Sequence, residues 1–520
     1  MENSTLTALI ERAGANCSEE TLKHYLFLNG LQHPEKPAYE WFDEEQGQVT
    51  HVTYRELISD IMALGTVFYR RGWKEQTLGL IGRTGYRWVL VFLTCICSDI
   101  VVLPLDPGLD TPELIRRLRH CRTELAMVDD GIRCVLEALP DHDGLELCSL
   151  SSVEPLLKEG RSLLESGVCP WTDDFVLDKQ PALMIFTSGT GGKMKAAVIR
   201  QENLTAERLV WKGLEADRSK CLLTLPLFHI AGIGDLRGTL LVGTTAYLSG
   251  GLKYLLREYA YVRPVTTFMV PAQAELICNL LRGRSPEEGK QMLGGQLVAL
   301  RTSGAPMPEN MRSLFASWDI DITSDYGMTE TCGPVSVSVM KNGRLYSKPG
   351  SVGRILDCLD VRIDAPDANG HGEIIISGRS VFNGYFEDPE ETEKILKDGW
   401  LHTGDVGYID EDHYLFIVGR KKNVIVLPSG ENIIPEELER EISGIPEIKE
   451  CLVYEKDGCL AAKVYAGEMD SETEARLKSE IEALFRFGPS YRRLRSIELS
   501  PIPLPKTTTG KLKREASLSV

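Results

Sequence analysis

At 520 residues, 43% of them hydrophobic, the chain is too long for one compact core and implies a large, internally divided domain plus a smaller one. A net charge of -17, from 58 Lys and Arg against 75 Asp and Glu, argues against a general affinity for nucleic acid or anionic membrane. Any polyanion site must gather its positive charge locally.

Thirteen cysteines lie scattered without a metal-ligand pattern; Cys95 and Cys97 are the closest pair and have no His nearby. They read as free thiols in a reducing cytoplasm. Met1 to Cys17 has acidic Glu2 and Glu11 and no basic segment leading into an apolar core, which argues against a signal peptide. Trp88 to Cys97 is half the length of a membrane span and reads as a buried helix.

In chain order, His33-Pro34-Glu35-Lys36-Pro37 punctuates an entry segment, and Thr53 to Trp73 has helical spacing of apolar positions with Thr53 as cap. Leu78 to Gly82 reads as strand, Tyr86 to Ser98 as helix, Val101 to Leu105 as strand, Thr111 to His120 as helix and Ala126 to Val128 as strand. Strands alternating with helices at this spacing predict βαβ units and a mostly parallel sheet. Cys134 to Leu177 is irregular by pattern.

Leu183 to Phe186 and Ala197 to Ile199 read as buried strands joined by Thr187-Ser188-Gly189-Thr190-Gly191-Gly192-Lys193-Met194-Lys195. Glycines let a backbone approach a polyanion, and hydroxyls and ammonium groups can contact phosphate oxygens. By itself the stretch fits a phosphate cradle or a surface hairpin. It is not the P-loop, because Lys193 precedes Met194 and a strand where Ser or Thr would open a helix.

Beyond it, Glu202 to Lys212 reads as helix and Leu222 to Leu225 as strand, leading to Pro226 through Gly232 with His229 at the strand end. An apolar run ending at Leu300 leads into Arg301-Thr302-Ser303-Gly304-Ala305-Pro306, either an ordinary tight turn or a place for a flat ligand against backbone. In Asp325-Tyr326-Gly327-Met328-Thr329-Glu330 an aromatic face, a Gly, a hydroxyl and a carboxylate could serve a purine nucleotide and its Mg²⁺, or simply form a turn before a helix.

Gly372 to Ser377, Trp400 to Asp405 and Tyr414 to Val418 then suggest short antiparallel strands, and the basic turn Gly419 to Asn423 marks a domain boundary. The last hundred residues are mixed: helix over Pro435 to Ile442, strands over Cys451 to Tyr454 and Ala461 to Tyr465, and a helix from Ser471, its cap, to Phe487. The chain ends in a basic, hydroxyl-rich stretch, Pro505 to Arg514.

Taken together the ordered motifs resemble the adenylate-forming superfamily of acyl- and aryl-CoA synthetases, peptide-synthetase adenylation domains and firefly-type luciferases. The resemblance runs from about Pro34 to Arg514 and rests on six motifs in the family's order: Thr187 to Lys195, Pro226 to Gly232, Tyr326 to Glu330, Leu401 to Asp405, Gly419 to Glu439, and Pro505 to Arg514. It implies a mixed α/β fold: a large domain over residues 1–421, with layered sheets and a small distorted β-barrel, and a small mobile α+β domain over 422–520.

Residue by residue, the resemblance implies that Thr187, Ser188, Gly189, Thr190, Gly191, Gly192 and Lys195 surround the β- and γ-phosphates of ATP. Ser303, Gly304, Ala305, Pro306, Asp325, Tyr326 and Gly327 would border the adenine, and Thr329 the α-phosphate. Glu330 and Thr190 would hold Mg²⁺, Asp405 the ribose hydroxyls with Arg420 beside it, and Lys422 the hinge. Lys511 would bridge carboxylate and α-phosphate during adenylation, and Gly430 would face the incoming thiol. The implied catalytic set is Lys511, His229, Thr190 and Glu330.

Gly191, Met194 and Ala196 replace a Thr, a Pro and a Gly usual in the family's loop, and His402 stands where Arg is more common. Lys195 is retained. The implied reaction is activation of a fatty, aryl or alicyclic acid by ATP and transfer to coenzyme A, with a carrier protein, an amine acceptor or a non-catalytic member as alternatives. A monomer or homodimer without a transmembrane segment is expected.

Overall fold

A computed structural model describes residues 3–44, 46–138, 144–169, 176–187, 194–208, 220–304, 307–341, 344–428, 431–506 and 512–518. Its largest sheet has six strands, in the spatial order Glu146–Ser149, Leu125–Val128, Thr77–Ile81, Val101–Leu105, Pro181–Phe186, Ala196–Arg200. All neighbours are parallel except the last pair. The parallel pairings are those the strand and helix alternation predicts. Helix Tyr54–Arg70 begins at a capping box in which Thr53 and Glu56 satisfy each other's backbone N–H groups.

The segment read as irregular holds the edge strand Glu146–Ser149 and the helix Val153–Glu165. That helix lies against Tyr54–Arg70 so closely that a Cβ on Gly160 would fall 2.0 Å from the Ala63 carbonyl oxygen. Its buried positions Val153, Leu156, Leu157, Gly160 and Leu164 follow helical spacing, a signal the sequence carries.

Two smaller sheets follow. Gln48–Thr53, Pro37–Asp43, Thr245–Leu248 and Lys220–Leu223 form one, and Thr266–Met269, Ala299–Thr302 and Asp321–Ser324 the other. In the latter all strands are parallel, and Met269, Thr302 and Ser324 lie in register at their C-terminal ends. Ser303 and Asp325 therefore leave the sheet side by side, where ligands of open α/β sheets bind.

Thereafter pairing becomes antiparallel. Leu359–Asp364, Gly372–Gly378, Trp400–Ile409 and Leu415–Arg420 pair in sequence, with Leu396–Lys397 on the same edge of Trp400–Ile409 as Leu415–Arg420. The final portion has its own core, including Leu438, Ile442, Val453, Ala462, Leu477 and Ile481. It contains helices Pro435–Ile442 and Ser471–Leu484 and a sheet of Glu450–Lys456, Cys459–Tyr465 and Leu494–Ser500. Asp457 and Gly458, both at positive φ, make the two-residue hairpin between the first two strands. Asp470, not Ser471, caps the second helix, accepting from the Thr473 N–H at 2.8 Å. No helix among the described residues is long and apolar enough to cross a membrane.

Candidate active site

At the end of the three-stranded parallel sheet, Gly304 adopts φ +87, and Ala305 and Pro306 lie outside the described residues. Asp325 is buried and turned inward. Its Oδ2 accepts from Arg301 Nε and Nη2 at 2.8 and 2.5 Å, and its Oδ1 from the Ser338 N–H and hydroxyl at 3.0 and 3.1 Å. The carboxylate thus braces the strand end, and the residue beyond it, Tyr326, is the half-exposed one. Gly327 is compelled by packing: a Cβ there would lie 2.2 Å from the Gly333 carbonyl oxygen.

A first cluster forms where two distant motifs meet. Antiparallel register sets Asp405 opposite Arg420, whose Nε is 2.7 Å from Asp405 Oδ1. The Tyr326 hydroxyl donates to Asp405 Oδ2 at 2.6 Å. Burial and the adjacent carboxylate push the Tyr326 phenol well above its ordinary range, so it stays a donor. Asp405 is 4% exposed and so is an anion almost withdrawn from water, with a cation and a phenol as partners.

Next to it, Glu373 accepts from Lys421 Nζ at 2.7 Å and from the Gly404 N–H at 3.1 Å, and lies 3.3 Å from His402 Nδ1. Asp364, Glu373 and His402 come within 4.8 Å of one another. Lys421 already neutralises that group. Lys422 lies in the short turn Lys421–Asn423.

The second cluster surrounds Glu330, which sits in the turn Thr329–Thr331 and is 7% exposed. Oε1 accepts from the Tyr385 hydroxyl at 2.6 Å, and the main-chain oxygen accepts from the Phe382 N–H at 2.8 Å. Oε2 has no hydrogen-bond partner among the described residues. A hard carboxylate oxygen held in this way fits Mg²⁺, which takes one or two carboxylates together with substrate phosphates.

Across the same tyrosine, the Lys195 ammonium lies 5.2 Å from the ring centre and 2.5 Å from Glu391 Oε2. Lys195 and Lys394 together hold the Glu391 carboxyl down to about 2. Thr187 donates its N–H to the Lys195 carbonyl at 3.0 Å, closing the base of the glycine loop. Ser188, Gly189, Thr190, Gly191 and Gly192 lie outside the described residues, as do Gly430 and Lys511.

His229 stands immediately before helix Ile230–Val242. A Cβ on Gly232 would fall 2.2 Å from the Pro226 carbonyl oxygen, so glycine lets the Pro226 to His229 turn fold onto the helix's first turn. Burial pushes the imidazole below its usual range, in favour of the neutral ring. Among the described residues His229 makes no hydrogen bond to either cluster. Ile233 and Met269 are wholly buried in the core.

Tyr385, Glu391 and Glu373 carry much of this geometry and are not singled out by the sequence motifs. A tyrosine after Gly384, just before the capped turn Asp388-Pro389-Glu390-Glu391, is the signal that marks the first two.

The profile of the AMP-binding enzyme family matches residues 27–386. A feruloyl-CoA synthase of Amycolatopsis sp is 30% identical over 425 residues, covering 78% of this chain and 80% of that protein. A long-chain-fatty-acid-CoA ligase of Drosophila melanogaster is 31% identical over 500 residues, 81% of this chain and 72% of the other. An anthranilate CoA ligase solved with anthranoyl-AMP shares the fold, with a TM-score of 0.80, 19% identity and 96% of each chain covered. The chain belongs to the AMP-binding enzyme family of adenylate-forming enzymes.

Proposed function

We propose that this enzyme activates a carboxylic acid with ATP and passes the acyl group to coenzyme A. In the first half-reaction a carboxylate oxygen attacks the α-phosphorus and pyrophosphate leaves. In the second, the thiol sulfur attacks the acyl carbon and AMP departs with the electrons of the broken mixed-anhydride bond.

The observation that carries this reading is the pair of clusters, one at Asp405 and the other joining Glu330 to Lys195. Asp405 with Arg420 and Tyr326 offers acceptors and an aromatic face for a nucleoside. Glu330 and Lys195, joined through Tyr385, offer a carboxylate oxygen and a cation for a metal-bound polyphosphate. Thr187, Ser188, Thr190 and Lys195 would contact the β- and γ-phosphates. Mg²⁺ held by Glu330 and Thr190 would offset the triphosphate charge. Lys511 would lie between the two reacting anions, where an ammonium stabilises the charge that grows in the transition state.

Division of the chain at 421/422 would let residues 422–520 turn about Lys422, withdrawing Lys511 and presenting the face around Gly430 to the thiol. Named relatives act on feruloyl and long-chain fatty acyl groups, so fatty, aryl and alicyclic acids are the candidate class. An amino acid is disfavoured. Ile230 stands where amino-acid-activating members place an Asp, and an unpaired ammonium buried against it costs about 4 kcal/mol or more. A reducing cytoplasm fits thirteen cysteines scattered without a metal-ligand pattern.

Carboxylate-dependent ATP-pyrophosphate exchange across fatty, aryl and alicyclic acids, with Mg²⁺ and without CoA, tests the first half-reaction. Exchange with one class identifies the substrate; ATP binding without exchange for any acid refutes adenylate formation by this chain with that panel. Adding CoA or a phosphopantetheine-bearing carrier to the purified adenylate then separates the two thiol acceptors.

A further inference from the structure

Between Val381 and Thr392 the chain folds over both members of the second cluster. The Phe382 N–H bonds the Glu330 carbonyl oxygen at 2.8 Å, and the Phe386 N–H bonds the Ala196 carbonyl oxygen at 2.8 Å. Tyr385 pairs as an isolated bridge with Ala197, next to the end of the glycine loop. Its own N–H is fixed by the Thr392 hydroxyl at 2.9 Å, and its ring meets Phe382 edge on, centroids 5.0 Å apart. Main chain and ring are thus both held before the hydroxyl makes any contact.

Among the described residues that hydroxyl has one hydrogen-bond partner, Glu330 Oε1 at 2.6 Å. A phenol O–H can donate to an ionised carboxylate, which has only acceptor sites to offer in return. A charge-assisted hydrogen bond of this length fixes the rotation of the carboxylate, because the oxygen that accepts it can no longer exchange places with the other. Oε2 is therefore the oxygen presented away from Tyr385.

We infer that Tyr385 is a positioning residue for the metal-nucleotide site. It holds Glu330 by one oxygen so that the other meets the cation in a single orientation. Its ring, 5.2 Å beneath the Lys195 ammonium, sets that orientation relative to the phosphate loop. The inference rests on the assignment of Glu330 as the metal carboxylate.

The test is Mn²⁺ binding, read by electron paramagnetic resonance, in the presence of α,β-methylene-ATP, for the full chain and for Tyr385→Phe, Glu330→Gln and the double variant. Phenylalanine keeps the ring against Phe382 and removes only the donor. Tyr385→Phe is expected to weaken Mn²⁺ about tenfold, the effect of one hydrogen bond to a charged group. The double variant should be no weaker than Glu330→Gln alone, since the hydroxyl acts through that carboxylate.

Unchanged Mn²⁺ affinity in Tyr385→Phe, with a loss in Glu330→Gln, overturns the inference and leaves the Glu330 assignment standing. Additive losses overturn it as well, because the hydroxyl would then act elsewhere. Wild-type Mn²⁺ affinity in Glu330→Gln removes the assignment and the inference together.

Discussion

The phenolic hydroxyl of Tyr326 and the carboxylate of Asp405, 79 residues apart, are joined by a 2.6 Å hydrogen bond, and Arg420 holds the other carboxylate oxygen at 2.7 Å. A carboxylate has about four acceptor sites and can serve several donors at once. Tyr326 opens strand Tyr326–Met328, just beyond the edge strand of the parallel sheet, and Asp405 lies in a different antiparallel sheet, so a nucleoside at this point would span the two.

Asp405→Ala removes those acceptors and leaves the Arg420 guanidinium without its carboxylate. Two hydrogen bonds to a charged group are together worth about 3 kcal/mol or more, so ATP affinity by calorimetry should fall on the order of a hundredfold. Asp405→Asn, which keeps one carbonyl acceptor, should fall between. ATP binding within threefold of wild type in the alanine variant would sink the assignment of Asp405 to the ribose.

Arg237 lies 1% exposed within helix Ile230–Val242 and ties three segments together. It pairs with Glu207 at 2.8 Å and donates to the carbonyl oxygens of Leu204 and Cys332 at 2.9 and 2.6 Å. Cys332 is two residues from Glu330, so the buried guanidinium anchors the turn that carries Glu330 to the helix that follows His229. Arg237→Met leaves Glu207 buried without this cation and should destabilise the protein by about 3–5 kcal/mol, read as a lower denaturant midpoint. Removing both charges in Arg237→Met/Glu207→Gln should recover part of that loss; a double variant less stable than the single would contradict the account.

Much of the first sheet is legible because strand and helix lengths there follow from local periodicity. Val101–Leu105 and Thr111–His120 coincide with the sequence reading, and Thr53 caps its helix as expected. Helix Ile230–Val242 escapes such reading because it is buried on nearly every side, Asp235 and Arg237 included, and contains Gly232, Gly234 and Gly238. Burial on all faces erases the 3.6-residue signal. The Asp470 cap lies one residue before an equally eligible Ser471, and only geometry separates them.

Long-range pairings are the other loss. Glu330 with Tyr385 spans 55 positions and Arg301 with Asp325 spans 24, and no spacing rule links them. Motif residues place the chemistry; the residues that orient it are set by tertiary contact.

Glu439 gives a pH dependence with a definite sign. Burial lifts its carboxyl from 4.5 to about 6, against the pull of Arg514, whose Nη2 is 2.6 and 2.8 Å from its two oxygens. With the folded pKa raised, the folded state binds the extra proton between about pH 4.5 and 6. Stability from this group is therefore present at the acid end and lost as pH rises through 6. Over that window it amounts to about 2 kcal/mol. Protection factors for amide exchange in strand Glu450–Lys456, which receives the Arg514 contact at Val453, should rise on acidification in wild type and lose that slope in Glu439→Gln. An unchanged slope in the variant would assign the dependence to another group.

The flanks of Lys511 are pinned although Lys511 itself lies outside the described residues. Lys506 pairs with Glu450 at 2.6 Å, Lys506 and Leu512 form an antiparallel bridge, and Lys513 donates its N–H to the Pro505 carbonyl oxygen at 2.8 Å. Lys506 and Leu512, which bracket Lys511 in sequence, are thus held side by side. If its ammonium neutralises the carboxylate and α-phosphate as they approach, Lys511→Ala should lower acid-dependent pyrophosphate exchange by at least about a hundredfold, the scale of losing one preorganised group at a developing charge. Thioester formation from a supplied acyl-adenylate and CoA should keep near wild-type rates, because that step needs the lysine withdrawn. Equal loss in both half-reactions would place Lys511 in the fold of the small domain and not in the adenylation step.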